Sequence, residues 1–262
     1  MPADLAPART SAGQRPDRGP VPAALAVDLG SGVAGMWAAH QGTVTVSCGD
    51  GYVAADALMR RGRVVDVDGC VVLLQHLVAQ YPQPVPTGGV VVACQPVLAT
   101  EADRTVTRRV LDAVFAPARL HFIDTVRAAA IGSGAAAGTL LVTDVGAQLT
   151  EVALLRNGRV IAARRSDVGT RDLAHGATVD LVSGNAARHL HDLRTDPAAA
   201  DLPTATARGM LLVGDGATRP DLALALSRSL RLRVHRAADP RTTALNGAGL
   251  AAMSLLRHPA IA

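Results

Sequence analysis

The sequence predicts an α/β protein of two lobes, each built on a mixed sheet flanked by helices. The first supporting observation is an internal near-repeat, because residues 26–30 (AVDLG) return 116 positions later as residues 142–146 (VTDVG). The second is that each copy opens a strand meander followed by alternating helix and strand patterns, an order typical of sheets covered by helices. Two homologous lobes leave a cleft between them, which is a common place for a ligand.

The composition fits a folded protein with short irregular ends. Of the 262 residues, 49% are hydrophobic, which is enough to bury one large core or two smaller ones. Residues 1–22 are rich in Pro, Ala, Gly and Arg without periodicity, so we expect a flexible arm there. We expect the first lobe at 23–137, the second at 138–256 and a tail at 257–262.

Charge and cysteine content restrict the possible function classes. The formal net charge is only +4 and aromatic residues are 2% of the chain, so neither a strong field nor base stacking points to a nucleic-acid partner. Cys48, Cys70 and Cys94 are scattered, which argues against a disulfide framework or a zinc site and fits a reducing cytoplasm. No apolar run reaches the ~18 residues of a spanning helix, so we expect no direct membrane insertion.

The elements of the first half follow from hydrophobic periodicity. After Gly30 the sequence predicts short strands near 35–40 and 43–47. The later patterns predict a helix at 68–80, a buried strand at 90–94, a helix at Glu101–Phe115 begun by a Thr100/Asp103 capping box, a strand at 120–123 and a helix at Thr125–Gly132.

The second half repeats this order. Strands at 150–155 and 159–163 are joined by an Asn157-Gly158 hairpin turn. Beyond them the sequence predicts a helix at 170–193, a strand at 210–213, a helix at Pro220–Leu230, a strand at 232–235 and a last helix capped by Asp239 with Pro240 at its first position.

Three small-residue turns at strand ends are candidates for holding a nucleotide. In residues 28–32 (DLGSG), glycines at positive φ would let backbone N–H groups form an anion-binding nest, and Asp28 would hold magnesium through water. Residues 144–150 (DVGAQLT) would grip the phosphates from the other lobe, with Asp144 as a second magnesium candidate, and residues 213–217 (VGDGA) would lie against adenosine. Each turn alone is equally compatible with a simple strand end. The candidate contacts are Asp28, Gly30, Ser31, Gly32, Asp144, Gly146, Thr150, Gly214, Asp215, Gly216 and Ala217.

Several motifs resemble the MreB branch of the actin-like ATPases. Residues 122–132 (FIDTVRAAAIG) are similar to the family's I-E-E-P-M-A-A-A-I-G, residues 62–66 to D-G-V-I-A-D and residues 150–153 to T-E-V-A-V. Gly169 is similar to the glycine that starts the helix after the second meander. The resemblance implies an actin-like ATPase (ribonuclease H-like) fold with binding of ATP and magnesium. About 36 residues separate Asp172 from Gly209, so the small peripheral subdomains are expected to be largely absent.

The second turn departs from the family's D-I-G-G-G-T-T, since Ala147, Gln148 and Leu149 replace glycine, glycine and threonine. If both glycine positions kept positive φ, the strain would total about 2 kcal/mol and weaken binding roughly thirtyfold. Asp124 stands at the position resembling a water-orienting glutamate and is one methylene shorter, so at most a weak ATPase is expected with Asp124 as its candidate catalytic residue. Alternatively, Asp124 is the N-cap of the helix at Thr125.

Three functions remain open on this basis. The resemblance implies a cytoplasmic protein of cell shape or cell-wall assembly that binds ATP weakly and associates with itself or another actin-like protein. A pseudo-ATPase adaptor that binds a protein partner without nucleotide is the alternative favoured by Ala147, Gln148 and Leu149. A small-molecule kinase of the same superfamily would need a catalytic acid beside a pocket built from segments that are short in this chain.

Overall fold

The computed structural model describes residues 23–48 and 58–258, so the predicted arm at 1–22 and residues 259–262 of the predicted tail lie outside the described residues. The first half forms one sheet and a small hairpin. Their strands are β1 Ala24–Leu29, β2 Val33–Ala38, β3 Gly42–Ser47, the hairpin β4 Met59–Arg60 and β5 Arg63–Val64, then β6 Val90–Gln95 and β7 Arg119–Asp124. The first sheet has the order β3-β2-β1-β6-β7.

The second half repeats this plan strand for strand. Its strands are β8 Thr139–Val145, β9 Thr150–Arg156, β10 Arg159–Ser166, β11 Met210–Val213 and β12 Val234–Arg236, in the order β10-β9-β8-β11-β12. In both sheets, an antiparallel meander of three strands is extended by two parallel strands. The mixed sheets predicted from the internal repeat are therefore confirmed.

The helices and sheets alternate in five layers. Helices α1 Val67–Ala79 and α2 Glu101–Phe115 cover the outer face of the first sheet. Helices α4 Val179–Arg194, α5 Leu202–Arg208 and α6 Pro220–Leu230 pack with the second sheet around a separate outer core. Helices α3 Thr125–Gly132 and α7 Thr243–Arg257 lie between the two sheets and share a central core with both.

Glycines allow the two central helices to touch backbone to backbone. A Cβ atom at Gly247 would lie 1.9 Å from the main-chain oxygen of Ala128, and one at Gly132 would lie 2.1 Å from that of Thr243. Helix α7 also packs on β1 and β6, so the last helix of the second half rests on the sheet of the first. Helix α7 therefore joins the two halves at the base of the cleft.

Most predicted elements are present with shifts of one or two residues at their ends. Helices Glu101–Phe115, Thr125–Gly132 and Pro220–Leu230 and the Thr100/Asp103 capping box are as predicted. Asn157 and Gly158 both have positive φ, at 49° and 71°, as the predicted two-residue hairpin turn requires.

Two predictions in the second half are wrong. The single helix predicted at 170–193 is a 3-10 helix at Thr170–His175, ended by Gly176 at φ 96°, followed by α4 with Thr178 as its N-cap. The last helix begins at Thr243 rather than at Pro240, and its N-cap is Thr242. Asp239 contributes only its main-chain oxygen, which accepts a hydrogen bond from Thr243 Oγ1 at 2.6 Å.

Candidate functional site

The three predicted turns face one cleft between the ends of the two sheets. Strands β1, β8 and β11 end at these turns, and Asp144 lies beside Val213 in the parallel register of β8 and β11. The cleft has a volume of about 140 Å³. The predicted residues that line it are Asp28, Gly30, Ser31, Gly32, Asp144, Gly146, Gly214 and Asp215.

The remaining predicted contacts lie behind the turns instead of on the cleft wall. Thr150 is fully buried, and its hydroxyl donates to the main-chain oxygen of Val168 at 2.8 Å. A Cβ atom at Gly169 would lie 2.5 Å from the backbone of Ala147, and Ala217 is buried in the outer core of the second half. A Cβ atom at Gly216 would lie 2.6 Å from Val145 Cβ, so Gly216 is also in close contact with the interior. A contact between these residues and a ligand remains a prediction.

The glycines of the turns act mainly through close approach. Gly214 has φ 79°, whereas Gly30, Gly32 and Gly146 do not have positive φ, so the expected nest at residues 28–32 does not form in that way. A Cβ atom at Gly30 would lie 2.4 Å from the main-chain oxygen of Val33, which explains why this position needs glycine.

Buried carboxyl groups concentrate at the closed end of the cleft. Burial raises the pKa of Asp28 to about 6. Burial, followed by repulsion from Asp28 and Asp215, raises the pKa of Asp144 to about 7. The two aspartates therefore face each other from separate sheets closely enough to interact, as the internal repeat predicts.

Glu151 is an acid at the cleft that sequence reasoning missed. It lies opposite Asp144 in the antiparallel pairing of β8 and β9 and is 3% exposed. Burial, and then repulsion from Asp144, raises its pKa well above the ordinary value, while its Oε1 accepts from the Val97 N–H at 2.7 Å. The available signal in the sequence was a charged residue directly before the apolar stretch 152–155.

The residues that replace family glycines at the second turn contact the first half. A Cβ atom at Gly32 would lie 2.8 Å from the Cβ of Ala147, and one at Gly62 would lie 2.9 Å from Leu149 Cδ1. The side-chain oxygen of Gln148 accepts from the Arg61 N–H at 2.7 Å. Neither Ala147 nor Gln148 has positive φ, so the condition on which backbone strain was expected is not met, and any effect of these two residues on a ligand is through the space they occupy.

A second pocket of about 450 Å³ adjoins the cleft and is called the arginine pocket here. It shares Gly32, Val33, Ala147, Asp215 and Arg241 with the cleft. The residues that line only the arginine pocket include Thr170, Arg171, Thr218 and Arg219.

Arg171 of the arginine pocket crosses to the first half, where its Nη2 donates to the main-chain oxygens of Ser31, at 2.7 Å, and Cys48, at 2.5 Å. Arg241 Nε donates to Asp215 Oδ1 at 2.6 Å.

Asp124 lies beside the cleft without lining it. Gln95 Nε2 donates to its Oδ1 at 3.4 Å, and Arg104 Nε donates to Gln95 Oε1 at 3.0 Å. Gln95, Arg104 and Thr125 do line the cleft. Asp124 occupies the N-cap position of α3 but makes no side-chain capping bond. Its catalytic role remains a prediction.

The acids fit a hydrated cation better than the cleft fits a whole nucleotide. A positive charge between Asp28 and Asp144 would relieve their repulsion, and magnesium keeps much of its water. Among the described residues, no group of three or more His, Cys, Asp or Glu side chains could hold a metal ion, so contacts through water suit this pair. Ligand pockets usually measure about 300–1,000 Å³, so the cleft alone is small for a whole nucleotide, and Gly32 and Ala147 line both it and the larger arginine pocket beside it.

The length and apolar character of the helices bear on whether any of them could span a membrane. In residues 23–48 and 58–258, no helix combines the length and apolar character needed to cross a bilayer.

Comparisons with solved structures support the fold. The chain is similar to crystal structures of MreB5 of Spiroplasma citri bound to AMPPNP, with a TM-score of 0.74 and 15% identity, and bound to ADP, with 0.73 and 14%. Each comparison covers 92% of this chain and 99% of that chain. The ethanolamine utilization protein EutJ from Carboxydothermus hydrogenoformans matches with a TM-score of 0.61 and 16% identity over 88% of this chain and 90% of that one.

Sequence comparison establishes the family. No curated protein matches the chain. The model of the MreB/Mbl protein family, however, matches residues 40–185, which is more than half of the 262 residues. Together with the duplicated sheets and the cleft between them, this match shows that the chain belongs to the MreB/Mbl family and has the actin-like ATPase fold.

Proposed function

We propose that this MreB-type protein binds ATP with magnesium weakly in the cleft and acts in cell shape or cell-wall assembly in the cytoplasm. The observation that supports the proposal is the acid pair Asp28 and Asp144, which face each other across the cleft with raised pKa values. A buried pair of this kind is unfavourable without a cation, and such arrangements are concentrated at functional sites. The two MreB5 structures with AMPPNP and ADP lend further support.

Each turn has a distinct part in the proposed complex. Backbone N–H groups of Gly30 and Ser31 would meet the phosphates, and Asp28 and Asp144 would hold magnesium through water. Gly214 and Asp215 would flank the adenosine. Hydrolysis would be slow at best, because Asp124 is short and is held by Gln95 beside the cleft.

Calorimetry with magnesium and ATP tests the proposal directly. We expect a dissociation constant between about 0.1 and 1 mM, since the closed cleft must open before the phosphates enter. Asp28→Asn should abolish the dependence of binding on magnesium, and Asp239→Asn, outside the cleft lining, is the matched control. An absence of heat at about 5 mM ATP would contradict nucleotide binding.

An adaptor that works without nucleotide is the second candidate. It is favoured by the contacts of Ala147 and Gln148 with the first half, which connect the two halves directly. The proposed partner is a second copy of the chain or another actin-like protein. Sedimentation with and without ATP separates the two functions, because assembly that is independent of ATP and unchanged by Asp28→Asn would favour the adaptor.

A further inference from the structure

The tip of the β4–β5 hairpin reaches across the cleft to the second half. The Arg61 N–H donates to Gln148 Oε1 at 2.7 Å, and Arg61 Nη1 donates to the Gln148 main-chain oxygen at 2.9 Å. The guanidinium also bonds both carboxylate oxygens of Asp172, at 3.2 and 3.1 Å, and the main-chain oxygen of Asp167. In return, Arg165 Nη2 donates to the main-chain oxygen of Arg61 at 3.2 Å. One residue is thus bonded to four residues of the other half.

The hairpin tip has the conformation of a two-residue hairpin turn. Arg61 has φ 51° and Gly62 has φ 73°. Positive φ at both central residues is what a type I′ turn requires, as at Asn157 and Gly158. A Cβ atom at Gly62 would lie 2.4 Å from Pro96 Cγ of the first half and 2.9 Å from Leu149 Cδ1 of the second. The turn therefore packs between the two halves.

The three residues that distinguish the second turn share this contact surface. Ala147 lies against Gly32, Gln148 binds Arg61 and Leu149 packs on Gly62. All three are at least nine-tenths buried. The second turn therefore contacts the first turn and the hairpin tip at once.

We propose that Arg61, Gln148 and Asp172 form a latch that holds the two halves together across the cleft. Arginine suits this use because its planar guanidinium can bond a carboxylate with two N–H groups and still reach main-chain oxygens.

The latch also regulates access to the cleft, a consequence that rests on the proposed nucleotide binding. Ala147 and Gly32 meet where the cleft of about 140 Å³ adjoins the arginine pocket of about 450 Å³, so a nucleotide that spans both requires this contact to part. Nucleotide then binds only the open fraction, and its apparent affinity falls by that fraction. Weakening the latch should raise affinity for ATP by about tenfold if roughly one molecule in ten is open.

Pulsed electron paramagnetic resonance tests closure itself. Spin labels at Val72→Cys on α1 and Leu224→Cys on α6 report the distance between the outer helices of the two halves, and both positions are exposed whereas Cys48, Cys70 and Cys94 are buried. Without nucleotide, we expect one narrow distance distribution that Arg61→Ala broadens toward longer distances. Arg60→Ala is the matched control, because Arg60 is an exposed neighbour on the same hairpin. An Arg61→Ala distribution identical to that of the parent would overturn the latch.

A second variant and a titration keep the outcomes separate. Gln148→Ala removes the side-chain acceptor of the Arg61 N–H but leaves the Arg61–Asp172 bonds, and should broaden the distribution less, whereas Gln148→Glu keeps an acceptor there and should give the narrow distribution of the parent. If Arg61→Ala opens the halves and ATP affinity rises, both the latch and nucleotide binding are supported. If the halves open but no variant binds ATP at about 5 mM, the latch stands and the nucleotide proposal fails.

Discussion

The first turn, residues 28–32, and the second turn, residues 144–150, occupy the same place in two sheets of identical strand order, yet their contacts differ. The first turn presents mostly backbone to the cleft, since Gly30 and Gly32 carry no side chains. The second turn presents Ala147, Gln148 and Leu149, which contact the opposite half. The same strand order therefore presents mostly backbone to the cleft at the first turn, and side chains that contact the opposite half at the second turn.

The difference extends to the residues paired with the two aspartates. Asp28 lies opposite Gly35 in its meander, whereas Asp144 lies opposite the buried Glu151 in the other. Strand register keeps the aspartates in equivalent places, but only Asp144 has a buried acid as its cross-strand neighbour, and its charge helps to raise the pKa of that acid. This comparison shows that sheet hydrogen bonding preserves where a turn lies, while a few side chains decide what the turn contacts.

The largest expected effect is on the two aspartates. Their folded-state pKa values are raised, so each contributes stability below its unfolded pKa near 4 and loses that contribution as pH rises toward 6 for Asp28 and 7 for Asp144. Asp144→Asn should therefore stabilise the protein at pH 8 by about 4 kcal/mol, and Asp28→Asn by about 3 kcal/mol. Urea unfolding without magnesium at pH 8 measures both.

The same measurement at pH 4 is the control for this prediction. Near that pH the carboxyl groups hold protons in the folded state, so the gain from either substitution should shrink to a small fraction of its value at pH 8. Equal gains at both pH values would show that repulsion between buried charges is not the cause. Equal gains for the two aspartates would remove the difference between the two turns.

Adding a methyl group to each turn gives the next largest contrast. Gly30→Ala places a Cβ atom 2.4 Å from a backbone oxygen and should cost about 2 kcal/mol, because that backbone cannot move without disturbing β2. Gly146→Ala meets its nearest atom at 3.7 Å and should change stability by less than about 0.5 kcal/mol. Thermal unfolding of the pair measures the difference, and similar losses for both would contradict it.

Restoring glycine at the second turn should make it resemble the first. Ala147→Gly with Gln148→Gly frees space opposite Gly32 and removes the side-chain bond to Arg61, so ATP affinity should rise about tenfold, or about 1.4 kcal/mol. Calorimetry of the double variant and both single variants measures the gain. Leu224→Ala, on an exposed surface, is the control for general loosening, and unchanged affinity in the double variant would show that these side chains do not obstruct the site.

Local patterns predict much of this fold because its elements have local signals. The near-repeat predicts the duplicated sheets, and the Thr100/Asp103 capping box places the start of α2 to the residue. The helix predicted at 170–193 fails because a helical pattern on both sides masks the break at Gly176, whose φ of 96° ends the first segment. Asp239 and Pro240 form a genuine helix-start signal, but the chain turns once more before Thr243.

Contacts between the two halves were not predictable in the same way. Arg61 and Gln148 are 87 residues apart, and nothing in the neighbourhood of either residue specifies the other. Likewise, Arg171 meets Ser31 only because the two sheets face each other. The sequence predicts which turns form the cleft, whereas the closure of that cleft depends on tertiary packing.

The smallest expected effect concerns Glu151, the acid that only the second half has. Because burial raises its pKa well above the ordinary value, its carboxyl group tends to hold a proton, and a glutamine side chain reproduces the oxygen that accepts from Val97. Glu151→Gln should therefore change the unfolding free energy at pH 6 by less than about 0.5 kcal/mol. Glu151→Ala should cost about 2 kcal/mol, because it leaves the Val97 N–H without its partner. Urea unfolding of both variants tests this, and a large gain in stability in Glu151→Gln would show that Glu151 is charged at this pH and is repelled by the neighbouring acids.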